Sequence, residues 1–317
     1  MKTTNEELRR ALEVIADEDQ LLTEAEFNAL SDMTSEEMED FTEKWRKVDC
    51  TRRQQVVCLL HDESDEKTSY DFSRIYRLCL RDHDPDVRYE AVKALWESRD
   101  TSLIPRLSKL MMEDESSDVR EAAAEILGNF ALMTELEDLP YSAELENALL
   151  SVYYNENELD SVRCQALIAV APLSAPGVIK AIGDAQQKSD GIYNCAAVCA
   201  MGRNTDDVWI PYIIEALKSE DKEILLAAID ASGEIESPDF IPYLAALMIE
   251  KDEEVLYQAI VALGKIGTIA AKNAVMSQAE HESEKIREAV QDALTLISEK
   301  ASPLSFAFDI KKHSIGG

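Results

Sequence analysis

An apolar or aromatic anchor returns every 31 residues, at Val162, Tyr193, Ile224, Val255 and Ile286, each near the start of an amphipathic stretch. Looser copies precede this run at Arg52, Val87 and Val119. A fixed period of this length constrains the fold more than any other feature. One such unit cannot bury its apolar face alone, so successive units stack and bury it against each other.

Counted from the anchor as position zero, offset +4 is Val56, Ala91, Ala123, Ala166, Ala197, Ala228, Ala259 and Val290. Offset +7 is Leu59, Ala94, Ile126, Ala169, Ala200, Ala231, Ala262 and Ala293. Offsets 0, +4 and +7 share one helical face. Small residues there allow close helix approach, which marks the packed side.

Three residues before the anchor stand Asp49, Asp84, Ser116, Asp190, Asp221, Asp252 and Ser283, with Leu159 the exception. Asp and Ser side chains accept hydrogen bonds from the free N–H groups of a first turn, so these are expected N-caps. Pro85 follows Asp84 at the first helical position, where its missing N–H costs nothing. At +9 come Gly128, Gly202, Gly233 and Gly264, expected to end the helix. A second amphipathic segment precedes each capped helix, near 35–46, 70–81, 102–112, 142–154, 175–187, 206–218, 237–249 and 268–280. Three of these carry an early proline, as Ile104-Pro105, Ile210-Pro211 and Ile241-Pro242. The repeat is therefore helix, turn, capped helix.

The runs Asp84-Pro85-Asp86-Val87-Arg88…Ala91…Ala94-Leu95 and Ser116-Ser117-Asp118-Val119-Arg120-Glu121-Ala122-Ala123-Ala124-Glu125-Ile126-Leu127-Gly128 resemble HEAT repeats, in particular the short repeats of phycobilisome lyases and their relatives. The resemblance covers residues 35–297. It implies an all-α, right-handed α-α superhelix, a HEAT-like α-solenoid of about eight helix pairs. The period is shorter than the usual HEAT length of about 40–47 residues, yet neither the ankyrin nor the tetratricopeptide signature is present. The Asp-x-Arg pair survives as Asp86/Arg88 and Asp118/Arg120, with Arg53, Arg163 and Arg287 also at +1. Asn194, Leu225 and Leu256 replace it in the middle. The step from Val119 to Val162 is 43 residues, which predicts an inserted, projecting loop over 132–141.

Three divisions follow: an acidic N-terminal helical cap (1–34), the repeat array (35–297) and a C-terminal tail (298–317). Capping boxes at Thr4…Glu7, Thr23…Glu26 and Thr34…Glu37 predict helices over about 4–16 and 23–31, then the first repeat. Terminal helices of this kind cover the open end of a repeat stack. The tail alternates Phe306, Phe308 and Ile310, as an extended cap or a short linear motif would.

The net charge is -31, from 63 acidic and 32 basic residues. Such a surface repels phosphate backbones, so nucleic-acid binding is disfavoured. That counts against the basic concave face of the HEAT-like alkylpurine DNA glycosylases. The charge is compatible with simple solubility, with a basic protein partner, or with adaptation to high salt. No stretch approaches the ~20 apolar residues of a membrane span, and the first residues carry no apolar signal region. The expectation is a cytoplasmic protein.

The chemistry-bearing set is small. Cys195 and Cys199 lie four apart on one helix, but a structural zinc site normally takes four ligands. Cys50, Cys58, Cys79 and Cys164 read as small apolar residues. His61, His83, His281 and His313 are scattered. Deoxyhypusine hydroxylase, also HEAT-like, builds a di-iron site from several His-Glu dipeptides, whereas this chain has one, His281-Glu282. No phosphate loop, nucleophile elbow or HExxH motif is present. We expect no catalytic residue, metal or cofactor.

Offsets +2 and +6 face away from the packed side; in the family this is the side that lines the concave surface. It is polar at the ends of the array, with Tyr89/Lys93, Glu121/Glu125 and Glu288/Asp292. In the middle it becomes Cys164/Ile168, Cys195/Cys199, Leu226/Asp230 and Tyr257/Val261. An apolar strip with acidic repeats at its ends suits a groove for a protein or peptide. Cys164, Ile168, Cys195, Cys199, Leu226, Tyr257 and Val261 are its candidate contacts, Leu226 and Tyr257 its anchors. The alternative is that these helices are simply more buried. The leading functional expectation is a non-enzymatic binding scaffold or adaptor. A bilin-lyase-like or chaperone-like protein acting on a cofactor-bearing polypeptide is the alternative that the resemblance implies.

Overall fold

The computed structural model describes residues 5–67, 69–188 and 191–301. The chain forms two compact units, one up to Phe130 and one from Ala131 onward. Among the described residues every regular element is helical, as the repeat pattern demands.

The first unit opens with α1 (Asn5–Ile15) and α2 (Glu24–Leu30). Three helix pairs follow: α3 (Ser35–Trp45) with α4 (Cys50–Glu66), α5 (Ser73–Cys79) with α6 (Pro85–Lys93), and α7 (Ile104–Glu113) with α8 (Ser117–Glu137). The capping boxes at Thr23 and Thr34 are formed, with Glu26 and Glu37 reaching back to the backbone of the cap residue. Thr4 lies outside the described residues.

Arg52 occupies the anchor position of the first repeat and is 3% exposed. Its guanidinium donates to the carbonyls of Val14 and Ile15 at 3.1 and 3.2 Å, and of Gln20 at 2.7 Å. An aliphatic anchor would bury more apolar area. The arginine instead donates to carbonyls of the last turn of α1 and of the segment after it, where intrahelical partners run out.

The second unit continues α8 and adds five pairs: α9 (Ser142–Tyr153) with α10 (Asp160–Val170), α11 (Pro176–Gln186) with α12 (Gly191–Asn204), α13 (Ile210–Ala216) with α14 (Lys222–Ile235), α15 (Ile241–Ala246) with α16 (Glu253–Ile266), and α17 (Ile269–Met276) with α18 (Glu284–Lys300). Helices α10, α12, α14, α16 and α18 pack consecutively against one another. Their +4 alanines, Ala166, Ala197, Ala228 and Ala259, are fully buried.

Asp49, Asp84, Asp221 and Asp252 cap their helices by accepting first-turn N–H bonds. Ser283 holds the cap position without a side-chain bond, and Leu159 caps α10 with backbone geometry alone. Asp190 lies outside the described residues, as does the tail with Phe306, Phe308 and Ile310.

Two expectations are corrected. The segment 132–141 is helical as far as Glu137, extending α8 by about two turns, and only the following residues turn, with Asp138 at φ 53°. Its run Leu-Met-Thr-Glu-Leu-Glu consists mostly of strong helix formers, which explains the extension. The +9 glycines are not helix terminators: all four lie inside their helices. The left-handed residues that end or follow α12, α14 and α16 are Thr205, Glu236 and Gly267, three positions further on and again 31 apart. Gly202, Gly233 and Gly264 serve packing instead. A Cβ on Gly202 would lie 2.6 Å from the Cα of Ala231, and one on Gly264 would lie 2.9 Å from the Cβ of Ala293.

Four of the five +1 arginines have a common task, whereas Arg53 pairs with the Asp82 carboxylate at 3.2 Å. Arg88 donates to the carbonyls of Asp82 and His83, Arg120 to those of Asp114 and Glu115, Arg163 to that of Tyr153, and Arg287 to those of His281 and Glu282. Each ties the second helix of its pair to the chain that leads into it, from the end of the first helix (Tyr153) to the connecting turn (His83, Glu115, Glu282). Where leucine replaces arginine, Leu256 is only 2% exposed and Leu225 half-buried. Leu256 is buried and adds nothing to an outward apolar surface.

Candidate functional site

The first unit carries a pocket of about 480 Å³. It is lined by Gln54, Asp86, Tyr89, Glu90, Ser116, Asp118, Glu121, Ala122 and Glu125. These occupy offsets −3, −1, +2, +3 and +6 of three successive repeats, the side away from the packed helices. Five are carboxylates. Glu125 is paired with Lys93 at 2.9 Å. The negative field reaches the helix behind. The Cys58 thiol is pushed up to about 11, first by burial and then by Glu90, whose carboxylate also accepts its hydrogen bond.

The expected apolar groove belongs to the second unit, where the structure places its residues unevenly. Cys164 is 5% exposed, and its Sγ donates to the Ile192 carbonyl at 3.9 Å. Ile168, Cys195, Cys199, Leu226 and Tyr257 are half-buried, and Val261 is 36% exposed. The Tyr257 ring is faced by the Lys285 ammonium, 4.6 Å from its centroid. Cys195 Sγ points to the Glu223 carbonyl of the next repeat at 3.9 Å. The +2 side chains thus lean toward the neighbouring repeat as much as outward.

Cys195 and Cys199 are two thiols shifted in opposite directions. They sit one turn apart on α12 and are both half-buried. The thiol of Cys199, donating to Cys195, pulls Cys195 down to about 7 against burial and the carboxylates of Glu223 and Asp221. The same bond, followed by burial, raises Cys199. Asp230, at +6 of the next repeat, is raised chiefly by burial. Of the remaining cysteines Cys79 is buried, as expected of a small apolar residue, but Cys50 is exposed at the start of α4. Among the described residues no group of three or more His, Cys, Asp or Glu is arranged to hold a metal ion, and no helix is long and apolar enough to cross a membrane.

The sequence pattern identified Tyr89, Glu121 and Glu125 as the polar face but missed Gln54, Asp86, Glu90 and Asp118 as parts of one pocket. The available signal was the recurrence of Asp at −1 in adjacent repeats (Asp86, Asp118), beside carboxylates at +2, +3 and +6.

Paired helices stacked on a recurring period, four of the second helices capped by an Asp side chain and four bonded to the preceding segment by a +1 arginine, define an α-helical repeat protein. The HEAT-repeat family model matches residues 75–145, 180–256 and 210–295, more than half of the chain, and the chain belongs to that family. Among curated proteins none matches its sequence. Similar solved structures include YibA from Escherichia coli, 15% identical with TM-score 0.42, over 92% of this chain and 98% of that one. Human deoxyhypusine hydroxylase in complex with glycerol is 17% identical with TM-score 0.36, over 93% and 96%. A designed armadillo repeat protein in complex with the peptide (KR)4 is 16% identical with TM-score 0.39, over 61% and 99%.

Proposed function

We propose that this protein is a non-enzymatic binding scaffold that takes a basic protein segment in the acidic pocket of its first unit. The observation that carries this reading is the convergence of Asp86, Glu90, Asp118, Glu121 and Glu125 on one cavity of about 480 Å³, with Tyr89 in its wall. Carboxylates and a tyrosine suit Lys and Arg side chains through charge-assisted hydrogen bonds and cation–π contact. The same charge repels nucleic acid. In the second unit, the half-buried Leu226 and Tyr257 are proposed anchors for an apolar segment of a partner, with Ile168 and Val261 beside them.

The test is fluorescence anisotropy with a labelled Lys/Arg-rich peptide and an acidic peptide of equal length. Wild type should bind the basic peptide alone, more weakly as salt rises. An Asp86→Lys/Glu121→Lys variant of unchanged helicity should lose about tenfold or more in affinity. Equal binding by wild type and variant would sink the pocket reading. A Leu226→Glu/Tyr257→Glu variant tests the second surface separately, by retention of partners from a lysate.

The finer likeness to phycobilisome-lyase repeats has the Asp86/Arg88 and Asp118/Arg120 pairs as its support. It would extend the scaffold to a cofactor-bearing polypeptide. Visible absorbance of the purified protein after co-expression with a bilin would distinguish that role.

A further inference from the structure

We propose that Cys195 and Cys199 form a two-thiolate site for a soft monovalent d¹⁰ cation of the Cu(I) type. Both thiols lie on one face of α12, one turn apart and half-buried, with Cys195 Sγ directed at the Glu223 carbonyl of the next repeat. The inference is independent of which protein partner the molecule holds.

The ion class follows from spacing and ligand number. Side chains four apart on a helix have Cβ atoms about 5–6 Å apart. A disulfide requires about 3.5–4.5 Å, so the helix must distort before the sulfurs can bond to each other. An ion between the sulfurs removes that strain, because each Cβ–S bond can lean inward without the sulfurs merging. Thiolate ligands select soft ions. Zinc takes four ligands in structural sites, or three and a water in catalytic ones. The described residues offer no third ligand group arranged with this pair. A two-coordinate soft cation is what remains.

The surroundings favour a cation. Asp221 and Glu223 act electrostatically on Cys195, and Asp230 acts on Cys199, with Arg203 the opposing charge. Ile168 and Leu226, at the equivalent offsets of the flanking repeats, are apolar and half-buried. Such neighbours limit hydration around metal–sulfur bonds. The step balances: two thiols and one monovalent cation give a bis-thiolate complex of charge −1 and two protons, released to solvent. No electron is transferred.

The experiment is an anaerobic titration of the full chain with Cu(I), competed with a chromogenic Cu(I) chelator and followed by ultraviolet thiolate-to-metal absorption. Wild type and a Cys50→Ser/Cys58→Ser variant should each hold one ion per chain. Cys195→Ser and Cys199→Ala, checked for unchanged melting, should each lose more than about 100-fold in affinity, the upper end for an outer-shell partner. Affinity retained in both single variants, or lost in the Cys50/Cys58 variant, would overturn the assignment. So would a wild type that holds no ion against the chelator.

Discussion

Gly202 lies against Ala231 so closely that a methyl group on the glycine would sit 2.6 Å from the alanine Cα. The relationship recurs one repeat later between Gly233 and Ala262, at 3.3 Å, and again between Gly264 and Ala293, at 3.0 Å. Offset +9 of one repeat thus meets offset +7 of the next, so the second helices approach backbone to backbone. Gly202→Ala and Gly264→Ala must push a helix aside and should each cost about 1–3 kcal/mol. Gly233→Ala has more room and should cost less. Gly183, inside α11 with nothing within 4 Å of an added Cβ, is the control. Gly183→Ala should stabilise by about 0.5–1 kcal/mol through helix propensity. Urea denaturation of the four variants checks the order.

Arg88 and Asp114 form a buried, bidentate ion pair in the first unit. Two guanidinium nitrogens meet the carboxylate at 2.7 and 2.8 Å, with the side chains 8% and 4% exposed. The third nitrogen, Nη1, donates to both the Asp82 and the His83 carbonyl. The hydrogen bond to Asp114, ahead of the opposing effect of burial, raises the arginine's pKa, so the charge is fixed. Arg88→Leu leaves Asp114 buried without its partner and should cost about 3–5 kcal/mol. The second unit tolerates leucine at this offset, as at Leu256, 2% exposed. Arg88→Leu/Asp114→Leu should therefore recover part of the loss. Paired melts of single and double variants decide it; a double variant worse than the single would refute the argument.

The repeat was legible because it rests on periodicity. Anchors, +4 alanines and Asp caps all recur at fixed offsets, and the helix pairs followed from them. The +9 glycines were misread because a glycine that stops a helix and one that admits a neighbouring backbone look alike in one dimension. Only the next repeat's Ala231 or Ala293 distinguishes them. The extension of α8 was hidden by the same ambiguity, since 132–141 broke the rhythm without containing a strong helix breaker before Asp138. The acidic pocket was half legible. Glu121 and Glu125 stood on the right face, but Asp86 and Glu90 join them only when adjacent repeats are stacked.

Leu159 offers a gain. It holds the N-cap position of α10 at φ −64°, ψ 142°, a backbone ready for a capping side chain, yet it supplies none and is 54% exposed. Asp221 and Asp252 occupy the same position in later repeats and bond two N–H groups each. Leu159→Asp should stabilise by about 0.5–1 kcal/mol, and Asp252→Ala should destabilise by about 1 kcal/mol. Ser283→Ala should change little, since that serine makes no cap bond. Thermal melts that ranked Ser283→Ala with Asp252→Ala would contradict the assignment.

The thiols should separate by pH. Cys195, drawn down to about 7 by the Cys199 hydrogen bond, is substantially thiolate at neutral pH, whereas Cys58, pushed up to about 11 by burial and Glu90, is not. Alkylation proceeds through the thiolate, so labelling of Cys195 should rise between pH 6 and 8 and then level off. Labelling of Cys58 should still be rising above pH 9. Cys199→Ala removes the donor, so the Cys195 value should rise toward the ordinary thiol range. Lower thiolate population then competes with higher intrinsic nucleophilicity, and labelling at pH 7 should fall by a net of about fivefold. Mass spectrometry of iodoacetamide-treated peptides over this range reads all three trends. A Cys195 profile unmoved by Cys199→Ala would mean that its acidity comes from another source.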